Sequence, residues 1–259
     1  MIITGVILAI VAFAASVLTF FSGFGLGTLL LAFMLIYFPA EIAIALTAVV
    51  HLFNNIFKWW LTKSHIDIQT VFKFGLPAIV GAMAGVYVLS FITHIPVLYH
   101  YNIHGQAHVI SWTKIIVGTV MVIFVIWDWI PSFKKVEFSS SYQVAGGLIT
   151  GFFGGLSGHQ GALRSAFLVK GKLDKSTFIA TGVAIACLID ITRIPLYLSQ
   201  IKKELLTSHT ALLSVCIIAA LAGSITGNYW LQKVTFKNIQ NIVAIMVMTM
   251  AILLITGIL

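Results

Sequence analysis

The side chains best suited to chemistry lie on and just after a glycine-rich break in an apolar stretch. Residues 157–161 are Ser-Gly-His-Gln-Gly, and Arg164 follows shortly after. A guanidinium group matches the planar or tripodal oxygens of an oxyanion, and a helix that begins after a glycine break offers unpaired N–H groups and a positive dipole end. The pattern predicts an anion site formed by the side chains of Arg164, His159, Gln160 and Ser157 and the backbone of Gly158 and Gly161.

Structural explanations for two of these side chains stay open at this stage. Arg164 near a membrane face would extend its charge to the lipid headgroups. The first half of the chain has Leu30 at the matching position, so a repeated scaffold does not itself require an arginine there. His159 either takes up a proton or only bonds a loop carbonyl group.

Asp190 and Arg193 are spaced one helical turn apart, so they can pair with each other. Asn55 and Lys58 occupy the matching positions in the first half. One hypothesis makes Asp190 a proton-coupling site, with His159 as the second candidate, and makes Arg193 and Asn55 further anion contacts. The alternative is a self-neutralised pair near the end of a span.

The composition determines the class of protein that must position these residues. The chain has 259 residues, of which 60% are hydrophobic and 8% charged, and its mean hydropathy is +1.07. Soluble domains carry about 25% charged residues, and about 20 apolar residues cross a bilayer. We therefore predict one all-α polytopic membrane domain. The net charge of +8 lies in short loops, where it sets orientation rather than binding nucleic acid.

The chain contains two related halves. Phe20–Gly27 recurs as Phe152–Gly161, and Gly81–Tyr87 recurs as Gly223–Tyr229. The first break adds Ser22, Gly23, Gly25 and Gly27 to the predicted anion site. We predict two homologous repeats, 1–131 and 142–259, joined by a polar cytoplasmic connector, 132–141. Each repeat has about four hydrophobic helical elements, the first of which is broken at its glycine motif. The pairs Gly81/Gly85 and Gly223/Gly227 are typical of close helix packing.

The predicted apolar segments leave two topologies open. They are 2–20, 28–38, 41–61, 71–92, 113–130, 142–156, 161–170, 176–198, 210–231 and 239–258. Each broken element is either one kinked span, giving eight crossings and parallel repeats, or a re-entrant hairpin, giving three crossings per half and inverted repeats. The hairpins place ten loop lysines on one side and three on the other. Since Lys and Arg collect on the cytoplasmic side, this count favours inverted repeats with both termini outside.

The loop 93–112 contains four histidines, His94, His100, His104 and His108. The last three would align on one face of a helix, where they could bind a transition metal. No cysteine or carboxylate joins them, however, and Pro96, Gly105 and the neighbouring aromatic residues indicate an interfacial loop on the outer side, which is the interpretation we prefer. No phosphate-binding loop, nucleophile elbow or zinc-protease motif occurs, so we predict no ATP drive, no enzymatic activity and no cofactor.

The duplicated glycine-rich first segment, the second segment (43–47 to Asn54-Asn55) and the third segment with its Gly-Pro and Gly-xxx-Gly pattern resemble the sulfite exporter TauE/SafE family. The resemblance covers essentially the whole chain. It implies a multi-pass protein of the bacterial inner membrane that moves sulfur-containing anions such as sulfite, sulfoacetate and other organosulfonates.

The sequence thus leads to the hypothesis of a secondary transporter, an exporter of a small sulfur oxyanion bound where the glycine breaks meet near the midplane. Its partners are then the anion, the lipid bilayer and a coupling proton or sodium ion, with a homo-oligomer left open. The alternatives are a transporter of another substrate class, such as a metal cation bound by the histidines, and a membrane enzyme or scaffold.

Overall fold

The protein is an all-α membrane protein with one small β-hairpin. Its computed structural model describes residues 2–19, 25–130, 138–168, 173–201, 209–230 and 237–259. Ser22, Gly23 and most of the connector 132–141 lie outside these ranges. The helices are α1 (Ile2–Thr19), α2 (Leu26–Tyr37), α3 (Ala40–Thr62), α4 (Ile68–Thr93, with a π-helical turn at Val71–Gly75), α5 (Trp112–Trp129), α6 (Gln143–Ser157), α7 (Gly161–Leu168), α8 (Lys175–Gln200), α9 (Thr210–Trp230) and α10 (Lys237–Ile255).

Five helices of the described residues are long and apolar enough to cross a bilayer, namely α3, α4, α5, α8 and α9. Helix α10 adds a shorter apolar stretch, Val243–Ile255. The predicted fold class, an all-α polytopic membrane protein, is therefore confirmed. The predicted segments 41–61 and 142–156 correspond to α3 and α6 within two residues at each end, because uninterrupted apolar stretches mark membrane helices clearly.

The helices of one half pack reciprocally on those of the other. The first helix of each half contacts the fourth helix of the opposite half, α1 on α9 and α6 on α4. The third helices pack on each other, α3 on α8, and so do the fifth, α5 on α10. The elements follow in the same order from α1 to α5 and from α6 to α10. The inverted orientation of the two halves in the membrane stays a prediction.

Glycines bring α4 and α6 into backbone contact. A Cβ atom placed on Gly151 would lie 2.0 Å from the carbonyl oxygen of Ala78, and one on Gly85 would lie 2.1 Å from that of Phe152. The same close approach recurs at Gly81, Gly147 and Gly155. Between membrane helices, where lipid is as apolar as leucine, such close packing supplies much of the association energy. Several glycines of the second cluster therefore serve packing and not only the break.

Helices α6 and α7 form a helical hairpin. The backbone N–H of Phe138, which precedes α6, donates to the carbonyl oxygen of Ala166 near the end of α7 over 3.1 Å. The rings of Phe138 and Phe167 stack with centroids 4.3 Å apart, and Phe167 also lies against Gly146 in the first turn of α6. The end of α7 thus lies beside the start of α6, whereas one kinked span would place them at opposite faces of the bilayer.

The histidine-rich segment forms a β-hairpin, so its histidines do not align on one face of a helix as the metal hypothesis required. Strands β1 (Tyr99–Ile103) and β2 (Gln106–Ile110) are antiparallel and joined by His104 and Gly105, both with positive φ. Such a two-residue turn matches the right-handed twist of paired strands. His100 pairs with Val109 and Tyr101 with His108, so His100 and His108 lie on opposite faces of the hairpin.

Replacing Gly151 tests the close packing of α4 and α6. We expect Gly151→Ala to lower the free energy of unfolding by about 1–3 kcal/mol or more, because the new methyl group meets backbone rather than a mobile side chain. The measurement is thermal unfolding of the purified protein in detergent. Gly5→Ala is the matched control, since its Cβ would meet only Leu212 Cδ1 at 3.8 Å. Equal melting temperatures for both variants would contradict the packing argument.

Inverted repeats with re-entrant hairpins predict an external C-terminus. A fluorescent reporter that matures only in the cytoplasm should stay dark when it is fused after Leu259. The same reporter inserted into the connector 132–141 should fluoresce and serves as the control. Fluorescence from the C-terminal fusion would overturn the predicted orientation.

Candidate functional site

The two glycine breaks meet in one pocket. Gly25, Gly27 and Thr28 line it from the first break. The second break contributes Gly158, His159, Gln160, Gly161, Ala162 and Arg164, and the remaining lining residues are His51, Phe124 and Asp128. A Cβ atom on Gly27 would lie 3.9 Å from the carbonyl oxygen of Gly158, so the two backbones run close together. This meeting of the two breaks is what the repeated motif led us to expect.

Two helices begin at this pocket. Gly25, with φ of 117°, precedes α2, and Gly158, with φ of 80°, ends α6 shortly before α7 begins at Gly161. L side chains rarely adopt these positive φ angles, which explains a glycine at each place. The first N–H groups of α2 and α7 lack acceptors within their helices. Both positive helix ends therefore border the same space.

Arg164 lies inside the protein and lines the pocket. It is 4% exposed, so the alternative in which it extends to the lipid headgroups is wrong. Its Nη1 lies 3.5 Å from Oε1 of Gln160, and its Nε would be 3.3 Å from a Cβ atom on Gly182 of α8. A glycine in α8 thus makes room for the guanidinium group, which brings a positive charge to the pocket wall.

His159 and Ser157 are held by the carbonyl groups around the break. Nδ1 of His159 lies 3.0 Å from the carbonyl oxygen of Ser157, so Nδ1 carries the hydrogen. Its ring stacks on Phe124 with centroids 5.8 Å apart. Among the described residues its Nε2, although buried, has no hydrogen-bond partner. The hydroxyl of Ser157 donates to the carbonyl oxygen of Phe153, and Ser157 does not line the pocket.

Asp190 joins three parts of the structure beneath the pocket. Its side chain is completely buried. Oδ1 accepts from Nε of Arg193 at 2.9 Å and from Nε2 of Gln160 at 3.2 Å, while Oδ2 lies 2.6 Å from Nδ1 of His51. The expected pairing of Asp190 with Arg193 is present, with a second contact from Nη2 at 2.8 Å. The carboxylate therefore connects α3, α8 and the break before α7.

Arg193 also holds the end of α6. Its Nη1 donates to the carbonyl oxygen of Gly154 over 2.6 Å, and the hydroxyl of Tyr197 donates to that of Gly155. Carbonyl groups at a helix C-terminus need such donors and favour a nearby cation. Arg193 therefore contacts the end of α6 at the second break, but it does not line the pocket.

The matching positions in the first half lie close to the same network. The amide nitrogen of Asn55 is 3.0 Å from Nδ1 of His51. Lys58 is buried on α3, near enough to Arg164 for their charges to interact. Neither Asn55 nor Lys58 lines the pocket. The two matching pairs, Asn55/Lys58 on α3 and Asp190/Arg193 on α8, therefore lie in one polar cluster beside the pocket.

Several residues of the site were not predicted from the sequence. His51 and Asp128 had a usable signal, because ionisable residues within membrane spans are costly and usually functional. Thr28 and Phe124 had none, since such residues are common in apolar helices. Ser16 and Ser224, whose hydroxyl groups both donate to Oδ1 of Asn54 at 2.9 and 2.6 Å, also escaped notice because they come from α1 and α9.

The described residues of the pocket and its surroundings hold no cluster of metal ligands. Within the described part of the chain, no three His, Cys, Asp or Glu side chains are grouped so as to hold a metal ion. Cys187 and Cys216 are unpaired thiols. The described lining instead combines hydrogen-bond donors, a guanidinium group, two imidazole rings and the carboxylate of Asp128 around a small space.

Asp190→Asn tests the buried ion pair. We expect it to destabilise the protein by about 3–5 kcal/mol, because Arg193 would keep a buried charge without its counter-charge. Thermal unfolding in detergent measures the effect. The control is Asp174→Asn at the exposed N-cap of α8, where asparagine caps a helix as well as aspartate does. If both variants melt at the same temperature, the pair does not have the structural role assigned to it.

Comparison with known proteins agrees with the resemblance noted in the sequence. A family model described as Sulfite exporter TauE/SafE matches residues 8–254. Searches of curated proteins and of solved structures gave no match. The matched range covers nearly the whole chain and includes both breaks and every described residue that lines the pocket. The chain therefore belongs to the TauE/SafE sulfite exporter family of multi-pass membrane proteins.

Proposed function

We propose that the protein is a secondary transporter that exports a small sulfur oxyanion, sulfite or an organosulfonate, bound in the pocket between the two breaks. The observation that carries this proposal is the buried Arg164 beside two helix N-termini in one pocket. Family membership supports membrane transport of sulfur anions. The proposal includes no catalytic activity, in keeping with a family described as sulfite exporters.

The donors around the pocket suit an anion. Asp190 and Arg193 neutralise each other beside it, while Arg164 and Asp128 both line the pocket and Arg164 is the basic side chain of the second break. A guanidinium group donates several hydrogen bonds in one plane, and the backbone N–H groups of α2 and α7 add donors from two further directions. Three oxygens of a sulfite or sulfonate group can then be contacted from different sides.

The other predicted residues take roles that follow from their contacts. Gln160 lines the pocket and bonds Asp190, so it contacts the anion from a fixed position. His159 offers Nε2 to the same space. Ser157, Arg193 and Asn55 act as positioning residues, since they hold the break and the ring of His51. Gly25, Gly27, Gly158 and Gly161 let the backbone approach the ligand.

The mechanism follows from broken helices that face each other. In transporters of this kind the substrate binds at the repeat interface, and one part of the protein then rocks against the other around that site. The reciprocal packing of α1 on α9 and α6 on α4 provides two similar units for such a motion. The inside-negative potential favours outward movement of an uncoupled anion by about 2.3 kcal/mol per charge per 100 mV. Asp190 and His159 are the residues that the sequence proposes for coupling to a proton.

Anion binding to the purified protein tests this proposal. We expect sulfite or sulfoacetate at about 100 times its Kd to stabilise the protein by about 2.7 kcal/mol, raising the melting temperature. Arg164→Ala should abolish this shift, and Arg164→Lys should restore part of it, because lysine retains the charge but not the planar donors. Lys63→Ala, at an exposed lysine after α3, is the matched control and should respond like the wild type.

The same measurement distinguishes the alternatives. Sulfate and taurine test selectivity among sulfur compounds, and Zn²⁺ and Ni²⁺ test the metal hypothesis. Stabilisation by a metal alone, lost in His100→Ala or His108→Ala and unchanged in Arg164→Ala, would contradict the proposed function. Unchanged sulfite binding in Arg164→Ala would contradict the proposed site.

A further inference from the structure

His51 stands between the pocket and the buried carboxylate of Asp190. Its ring lines the pocket, and its Nδ1 lies 2.6 Å from Oδ2 of Asp190. Asp190 itself is completely buried and does not line the pocket. In this arrangement the imidazole ring links the pocket to the carboxylate.

The hydrogen bond to Asp190 determines how the ring is oriented. A carboxylate oxygen only accepts, so Nδ1 of His51 carries a hydrogen. The opposite edge of the ring faces the first break, since a Cβ atom on Gly27 would lie 3.6 Å from Cδ2 and 3.9 Å from Nε2. In the neutral ring Nε2 has a lone pair directed away from Asp190, and the amide nitrogen of Asn55 lies 3.3 Å from it as a donor. This ring nitrogen is the atom that gains a proton when the imidazole becomes charged. Protonation at Nε2 therefore requires the amide of Asn55 to turn its oxygen toward the ring.

The surrounding charges connect the state of this ring to anion binding. On α8, Asp190 contacts the ring and is paired with Arg193. Arg164, His159 and Asp128 line the same pocket from α7, the second break and α5. Lys58 lies about two turns along α3 from His51. Since Arg193 already balances Asp190, a proton on His51 adds one positive charge to the pocket.

We propose that His51 is the coupling residue of this transporter and takes up a proton at Nε2 when the anion binds, with Asp190 positioning the ring. This rests on the proposed anion site. Imidazole is the side chain that exchanges protons most readily near neutral pH. The positive charge on His51 attracts the anion, and by linkage the bound anion favours the proton to the same extent.

This assignment changes the role of Asp190. The sequence suggested that the carboxylate itself exchanges the proton, whereas here it accepts the hydrogen of Nδ1 and so holds the imidazole in one tautomer. His159 differs from His51 because its Nδ1 bonds a neutral carbonyl group instead of a carboxylate, so no counter-charge contacts its ring. A proton and an anion that enter one site together move in the same direction. A monoanion carried with one proton transfers no net charge across the membrane, so the direction of its transport depends on the gradients of the anion and the proton and not on the membrane potential.

Proton uptake on anion binding is the measurement that tests the proposal. Sulfoacetate is the main probe, because both its acid groups stay ionised between about pH 5.5 and 8. Its binding enthalpy is measured in two buffers of different ionisation enthalpy, and the difference gives the protons taken up per anion. We expect uptake of up to one proton by the wild type and none by His51→Gln. The affinity of the wild type should weaken about 5- to 150-fold from about pH 6 to 8, while His51→Gln binds weakly at both.

Matched histidine variants show whether the proton goes to His51. His65→Gln, at an exposed residue after α3, should behave like the wild type. His159→Gln should bind less tightly but retain proton uptake. If sulfite binds and sulfoacetate does not, the same variants are compared with sulfite, whose own protonation is common to all of them.

The outcomes separate this inference from the proposed function. Binding without proton uptake in the wild type, or uptake that persists in His51→Gln or disappears in His159→Gln, overturns the role of His51 and leaves the anion site intact. Absence of binding by either anion overturns both. If His51→Gln is not recovered folded, wild-type uptake that is unchanged in His159→Gln still supports His51, and absent wild-type uptake still refutes it.

Discussion

The buried carboxylate of Asp190 is the centre on which the site depends. A charge inside a membrane protein is tolerated only when it is paired and hydrogen-bonded, and Asp190 meets this requirement through Arg193, Gln160 and His51. Each partner belongs to a different part of the site. Arg193 continues to the end of α6, Gln160 lies on the second break, and His51 lies on α3 beside the first break. The hydrogen bonds that stabilise the buried Asp190 therefore also hold α3, α8 and the second break in their positions around the pocket.

Glycines allow the close helix packing and the broken helices that surround Asp190. Close backbone contact between α4 and α6 leaves no room for a Cβ atom at Gly151 or Gly85, so the broken helix of the second half is held against a full span of the first. At the break itself, positive φ at Gly25 and Gly158 lets the chain stop one helix and start another at membrane depth. The carbonyl groups exposed by this irregular backbone are bonded by Arg193 and Tyr197, as the absence of water in a bilayer demands.

The sequence was most informative where its pattern is long and repetitive. The membrane class, the helix segments and the duplicated breaks followed from apolar stretches and recurring glycines, because these depend on local physical requirements. Asp190 and Arg193 could be paired from their spacing alone. In the histidine-rich segment the regular spacing of His100, His104 and His108 is compatible with a helix, but the turn at His104 and Gly105 produces a hairpin. The spacing of residues along the sequence does not reveal the pairing between β1 and β2 that forms this hairpin.

By itself the sequence determined the membrane class, and it indicated two related halves, the position of both breaks and candidate ligands on the second one. Only the tertiary structure decided which side chains meet. His51 and Asp190 are separated by 139 residues, and the contact between their helices brings them within hydrogen-bonding distance. The same folding buried Arg164 against Gly182 instead of at a membrane face, and it directed Arg193 to the end of α6. Such contacts depend on how helices from the two halves pack, which no local pattern of residues specifies.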